Sequence, residues 1–234
     1  MNPFDSSIVS FLNSFARHSI FFDTLVTLVS GNYLLKGGVV LAMIWWVWFC
    51  RGVHQIERRR FLICGIIACF LSVAVARGLA HELPYRERPL RTPGLHFQTP
   101  YGQSSQELIN WSAFPSDHAA VFFTLAFSIF FCWRAAGIVA LGYVLVVICL
   151  PRIYLGFHFP TDVLAGALIG LGLASLAHIS AVRKAVGGVT ERWLESYPGS
   201  FYAFFFIITF QIATIFDSTR EITHFFYLLL KPHT

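Results

Sequence analysis

Residues 61–80, FLICGIIACFLSVAVARGLA, carry Arg77 as their one charged side chain and follow directly on Arg58-Arg59-Arg60. A helix that crosses a bilayer needs about 17–25 mostly apolar residues, and an arginine cluster beside such a stretch marks a cytoplasmic loop. Working outward from this stretch, further apolar runs cover residues 33–51, 118–133, 135–150, 163–179 and 201–216. Any one of them would suit a buried helix of a soluble protein. Six in a chain of 234 residues leave too little polar sequence to cover them in water. Composition agrees: 12% of the residues are charged, against about 25% in soluble domains. The sequence therefore predicts an all-α, polytopic membrane bundle of about six transmembrane helices over residues 33–217. An N-terminal interfacial amphipathic segment, residues 1–32, precedes it, and a C-terminal tail, residues 218–234, follows.

The net charge of +5 does not point to nucleic acid, because its densest run sits in the short loop before residue 61. With that loop inside, alternation places Arg134 and the segment bearing Arg183, Lys184 and Arg192 inside as well. Residues 81–117 and 151–162 then face outside. The five cysteines, Cys50, Cys64, Cys69, Cys132 and Cys149, lie in or beside apolar runs without a C-x-x-C pair, so they read as small core residues. Asp5, Arg17 and Asp23 interrupt the first thirty residues, which argues against a cleavable signal peptide. The longest polar interruption, residues 84–114, is broken by Pro84, Pro89, Pro93, Gly94, Pro100 and Gly102. Its Phe97, Tyr101 and Trp111 suit contact with a lipid or the membrane interface.

Three clusters on the outer side carry chemistry: residues 81–89 (HELPYRERP), 115–118 (PSDH) and 152–162 (RIYLGFHFPTD). Pro160 suits the first turn of a helix, which leaves His158 just ahead of it and Asp162 inside it. The carboxylate of Asp162 is then placed to hold one imidazole nitrogen and leave the other free as a nucleophile. Taken alone, the same pair also describes an interfacial histidine bonded to a nearby acid. Ser116 and Asp117 open an apolar run, where capping is the better explanation of either taken alone, although a helix N-terminus also favours an anion and Ser116 can donate to a phosphate oxygen. Capping does not call for His118, which has the chemistry of a general acid. Arg88 and Arg152 offer planar donors suited to phosphate. Arg77, Arg86 and Arg91 read as ordinary snorkelling anchors at a membrane edge.

Together these clusters resemble the signature of the type 2 phosphatidic acid phosphatase superfamily: K-x6-R-P, then P-S-G-H, then S-R-x5-H-x3-D. That superfamily includes membrane lipid phosphate phosphatases and bacterial undecaprenyl pyrophosphate phosphatases. The pattern stands here as His81-x6-Arg88-Pro89, Pro115-Ser116-Asp117-His118 and Pro151-Arg152-x5-His158-x3-Asp162. The resemblance implies that His158 is the catalytic nucleophile, oriented by Asp162, and that His118 protonates the leaving group. Arg88, Ser116, Arg152 and His81 would bind the substrate phosphate, with no metal and no cofactor needed. It departs from the pattern at His81, Asp117 and Pro151, which replace lysine, glycine and serine.

The reading implied is a lipid phosphatase of the bacterial inner membrane, multi-pass, with its site facing the periplasm or exterior. Undecaprenyl pyrophosphate is the best single substrate; phosphatidylglycerol phosphate and lipid A phosphates are alternatives. A phosphotransferase that passes phosphate to lipid A or another acceptor would use the same residues. A non-catalytic lipid-binding or transport protein would need the arginines but no nucleophile paired with a proton donor. Membrane lipids and the lipid phosphate are the expected partners, and oligomeric state is not legible.

Overall fold

In the computed structural model, residues 2–103 and 111–215 are described, and the regular structure among them is helical. The expected C-terminal tail and residues 104–110 of the long outer loop lie outside the described residues. Each of the six apolar runs folds as a helix. Helix boundaries follow local chemistry. Asn2 caps α1 (Pro3–Asn13) with its side chain, and Ser19 caps α2 (Ile20–Gly31). A π-helical turn, Leu34–Gly38, leads into α3 (Val39–Phe49). The long helix α4 (Gln55–Glu82) is followed after the outer loop by α5 (Asp117–Cys132), which is capped by Ser116. Helix α6 (Arg134–Tyr143) passes through a second π-helical stretch, Val144–Cys149, into the short α7 (Leu150–Tyr154). Pro160 opens α8 (Pro160–Ala177) in the first turn, as its fixed φ favours. Two further helices, α9 (Ser180–Ser196) and α10 (Pro198–Ala213), follow among the described residues.

By length and composition α4, the continuous stretch Arg134–Tyr154 and α8 can each cross a membrane. Helix α2 is long and apolar enough only together with Leu34–Phe49, from which it bends by 67°. The apolar helices α5 and α10 are shorter. Much of the outer surface is apolar, for example Leu168 at 70% exposure and Ile138 at 62%, as a lipid-facing surface requires. The chain is a polytopic membrane helical bundle.

The interior is organised around α4, α5 and α8, which pack on one another. Helices α5 and α8 approach closely because Gly166 and Gly170 offer no Cβ. One added at Gly166 would stand 2.2 Å from the Ser116 carbonyl oxygen, and one at Gly170 would stand 2.4 Å from that of Ala120. Small residues four apart are the usual means by which membrane helices bring their backbones together. The same core extends to α3 and α10, where Trp48 lies against Phe201 and Phe205.

The two ends of the bundle differ. At one end Arg60 pairs with Glu191 at 2.6 Å and Arg183 with Glu57 at 3.2 Å, tying α9 to α4. The 28 residues of α4 span about 40 Å, so this basic end lies far from His81 at the other end. The three chemistry-bearing clusters gather at that second end.

Candidate active site

Close contact between α5 and α8 fixes the centre of the site, because each helix begins there. The backbone N–H of Ser116 donates to the Asp162 carbonyl at 3.0 Å, which stitches the two N-termini together. His118, in the first turn of α5, and His158, two residues before α8, thereby face a common cavity of about 370 Å³. Arg88 and Arg152 line it too.

His158 is 3% exposed. Its Nδ1 lies 2.8 Å from the Ala113 carbonyl oxygen. A carbonyl can only accept, so Nδ1 carries the proton and Nε2 holds the free lone pair. The hydrogen bond expected from Asp162 is therefore made by Ala113 instead, and Asp162 Oδ2 stands 3.9 Å from Nδ1. The reason is local. Phe159, between them, is extended (φ −76°, ψ 156°), so the four-residue spacing does not follow a helical turn. Asp162 instead accepts from the Phe159 N–H at 2.7 Å and from Arg86 Nη1. Burial, followed by the positive charges of Arg88 and Arg152, pushes the pKa of His158 well below the usual histidine value. Its neutral, nucleophilic form is favoured.

His118 is held by side chains. Its Nδ1 lies 2.8 Å from Asp117 Oδ1, and its Nε2 meets Arg152 Nη2. A guanidinium has no acceptor, so Nε2 accepts here and the Asp117-facing nitrogen carries the proton. Asp117, at the position of the family's glycine, thus turns toward His118. Its other oxygen lies 3.6 Å from Arg77 Nη2.

Arg88 is 6% exposed and clamped by three backbone carbonyls: Phe157 at 2.6 Å, Trp111 at 3.2 Å and Ser112 at 3.3 Å. Arg152, on α7, is equally buried and lies beneath the same cavity, 5.8 Å from the Phe157 ring. Ser116 is 1% exposed, caps α5 through the Ala119 N–H, and does not line the cavity. His81 is not brought into it either. Its side chain is 87% exposed beside Glu82, and it lines a second cavity of about 280 Å³ that shares Arg88, Asp117 and His158 with the first.

Three residues that the sequence reading passed over stand at the site. Lys36, 6% exposed in the first π-helical turn, lines the main cavity and packs on Tyr33 at 4.7 Å. Arg86 is no free anchor, because it pairs with both Asp162 and Asp5. Asp5 is completely buried. The apolar surroundings of Lys36 and the early acid in α1 were the available signals, but nothing local says where either residue points.

The chain is similar to known proteins over much of its length. A family model described as the PAP2 superfamily matches residues 79–185. Lipid A 1-diphosphate synthase of Escherichia coli (strain K12) is 31% identical over 197 residues, covering 76% of this chain and 78% of that protein. "Putative undecaprenyl-diphosphatase YbjG" of the same organism is 33% identical over 133 residues, 56% of this chain and 60% of its own length. The bacitracin transport permease protein BcrC of Bacillus licheniformis is 42% identical over 60 residues, and the match spans 29% of it. No solved structure gives a significant match.

Proposed function

The chain belongs to the PAP2 superfamily, and on that premise we propose that it is a lipid phosphatase of the bacterial cytoplasmic membrane. Its site opens on the outer side, opposite the arginine-rich end of α4. Undecaprenyl diphosphate is the favoured substrate, giving undecaprenyl phosphate and inorganic phosphate. The observation that carries the reading is the tautomer of His158. With Nδ1–H committed to the Ala113 carbonyl, Nε2 keeps its lone pair, and His158 lines one cavity with Arg88, Arg152 and His118.

In the first step Nε2 attacks the terminal phosphorus, a P–N bond forms, and the bond to the bridging oxygen breaks. The two guanidiniums offset the charge spread over the transferring oxygens, which is the main catalytic need in phosphoryl transfer. A phosphate draws Arg152 toward itself, which frees His118 Nε2 to take up a proton from the incoming phosphate or solvent and pass it to the leaving oxygen. In the second step His118 takes a proton from water, the water oxygen attacks phosphorus, and the P–N bond breaks to release phosphate.

The relative matched over most of its length is named as a synthase of a lipid A diphosphate. That favours, as the second reading, transfer of the same phosphoryl group to a lipid acceptor. One experiment separates the readings. Purified protein is given undecaprenyl diphosphate with and without lipid A, and free phosphate and phosphorylated lipid are both quantified. We expect phosphate release without acceptor, and its loss in His158→Ala; undiminished turnover in that variant would refute the mechanism.

A further inference from the structure

We propose that the N-terminal helix α1 belongs to the catalytic apparatus, with Asp5 acting through Arg86 and Thr161 as a positioning residue for His158. The inference rests on the reading of His158 as the nucleophile. Asp5 lies 74 residues ahead of the segment matched by the family model, which begins at residue 79, so nothing in that match assigns it a role.

The geometry is specific. A carboxylate with no exposed surface is costly to bury unless its oxygens are fully bonded. Asp5 Oδ1 accepts from the Thr161 N–H at 2.9 Å. Its Oδ2 accepts from the Thr161 hydroxyl at 2.6 Å and from Arg86 Nη2 at 2.7 Å. Every one of these donors leads to His158. Thr161 occupies the first turn of α8, between Pro160 and Asp162. Arg86 Nη1 donates to the Thr161 hydroxyl at 2.9 Å and to Asp162 Oδ1. Asp162 in turn holds the N–H of Phe159, the residue next to His158. The Arg86 carbonyl accepts from the Ala113 N–H at 2.9 Å, and the Ala113 carbonyl takes the His158 Nδ1 proton. Arg86 therefore grips the nucleophile from two directions, by its side chain through Asp162 and by its main chain through Ala113.

Asp5 decides where that guanidinium lies. Arg86 stacks on the Phe159 ring at 4.5 Å and is 30% exposed, so a face of it is open. Two buried acids, one on each side, hold it in register over the ring. With Asp5 neutralised, Arg86 keeps one carboxylate and is free to slide along Phe159, and the two bonds from Thr161 in the first turn of α8 are weakened. A tether that served only to dock α1 would not need a buried charge, because α1 already places Val9 in the main core.

The test uses the full chain in detergent. In spectra of protein carrying [15N]histidine, the Nδ1–H resonance of His158 is assigned by its loss in His158→Ala. Asp5→Asn and Thr161→Ala are then compared with wild type for that resonance, for kcat and KM on undecaprenyl diphosphate, and for Tm. We expect the resonance to move or broaden and kcat to fall by about a hundredfold, the scale of a small misplacement of a reacting group. KM stays within about twofold, because Arg88 and Arg152 are untouched. A folded Asp5→Asn protein with wild-type resonance and kcat would overturn the proposal. If Asp5→Asn shows no cooperative melting, Thr161→Ala decides by the same criteria. A resonance that moves in Asp5→Asn while the wild-type chain itself shows no turnover would uphold the coupling and instead discard the catalytic reading of His158.

Discussion

The two histidines of the site are held by opposite strategies. His158 is fixed by the main chain: its ring proton goes to a carbonyl, and its neighbour Phe159 is pinned by Asp162 at the start of α8. His118 is held by side chains alone, Asp117 on one nitrogen and Arg152 on the other. A nucleophile has one task and one geometry, and backbone bonds cannot rotate away from it. A proton carrier must exchange partners within a cycle, and side chains can. The difference in construction thus mirrors a difference in chemical role.

The comparison breaks most completely if the two helices part. Gly166→Val places side-chain atoms where the Ser116 carbonyl stands, 2.2 Å from the first of them. Overpacking of this kind costs about 1–3 kcal/mol. We expect a lower Tm and loss of nearly all turnover, because both histidines lose their common cavity; thermal unfolding and phosphate release measured together check this. The next effect falls on one partner. His118→Ala is expected to reduce kcat by roughly 100- to 10,000-fold, the usual worth of general acid–base catalysis. It leaves Nε2 of His158 able to attack, so acid-labile phosphoprotein accumulates in a rapid quench. Absence of that species would mean that His118 serves the first step more than the second.

The smallest effect concerns pH. The folded state lowers the pKa of His158, so the neutral imidazole persists as pH falls through the ordinary histidine range. The acid limb of kcat/KM is therefore expected below about pH 6.5. A limb at or above that value would show that the nucleophile is not shielded as its burial implies.

Much of this was legible in the sequence, and for a physical reason. The apolar runs report what the bilayer demands of every helix, and residues such as His158, His118, Arg88 and Arg152 are expensive in that setting, so their presence signals use. What stayed hidden was partnership. Asp5 and Arg86 are 81 positions apart, and no local pattern couples an acid in α1 with an arginine that resembles a membrane anchor. The order of His158 and Asp162 is legible, but not that the extended Phe159 between them turns the Asp162 carboxylate to its own N–H, 3.9 Å from the imidazole. Gly166 and Gly170, by contrast, carried a readable spacing whose meaning appears only beside the Ser116 and Ala120 carbonyls.

Arg88 illustrates a further consequence. A long cationic side chain that is free in solution surrenders about 1.5–2 kcal/mol of rotational freedom when a ligand fixes it. Three carbonyls fix Arg88 before any ligand arrives. The disorder is lost once, during folding in the membrane, and each incoming phosphate meets a cation that has nothing left to lose by holding still.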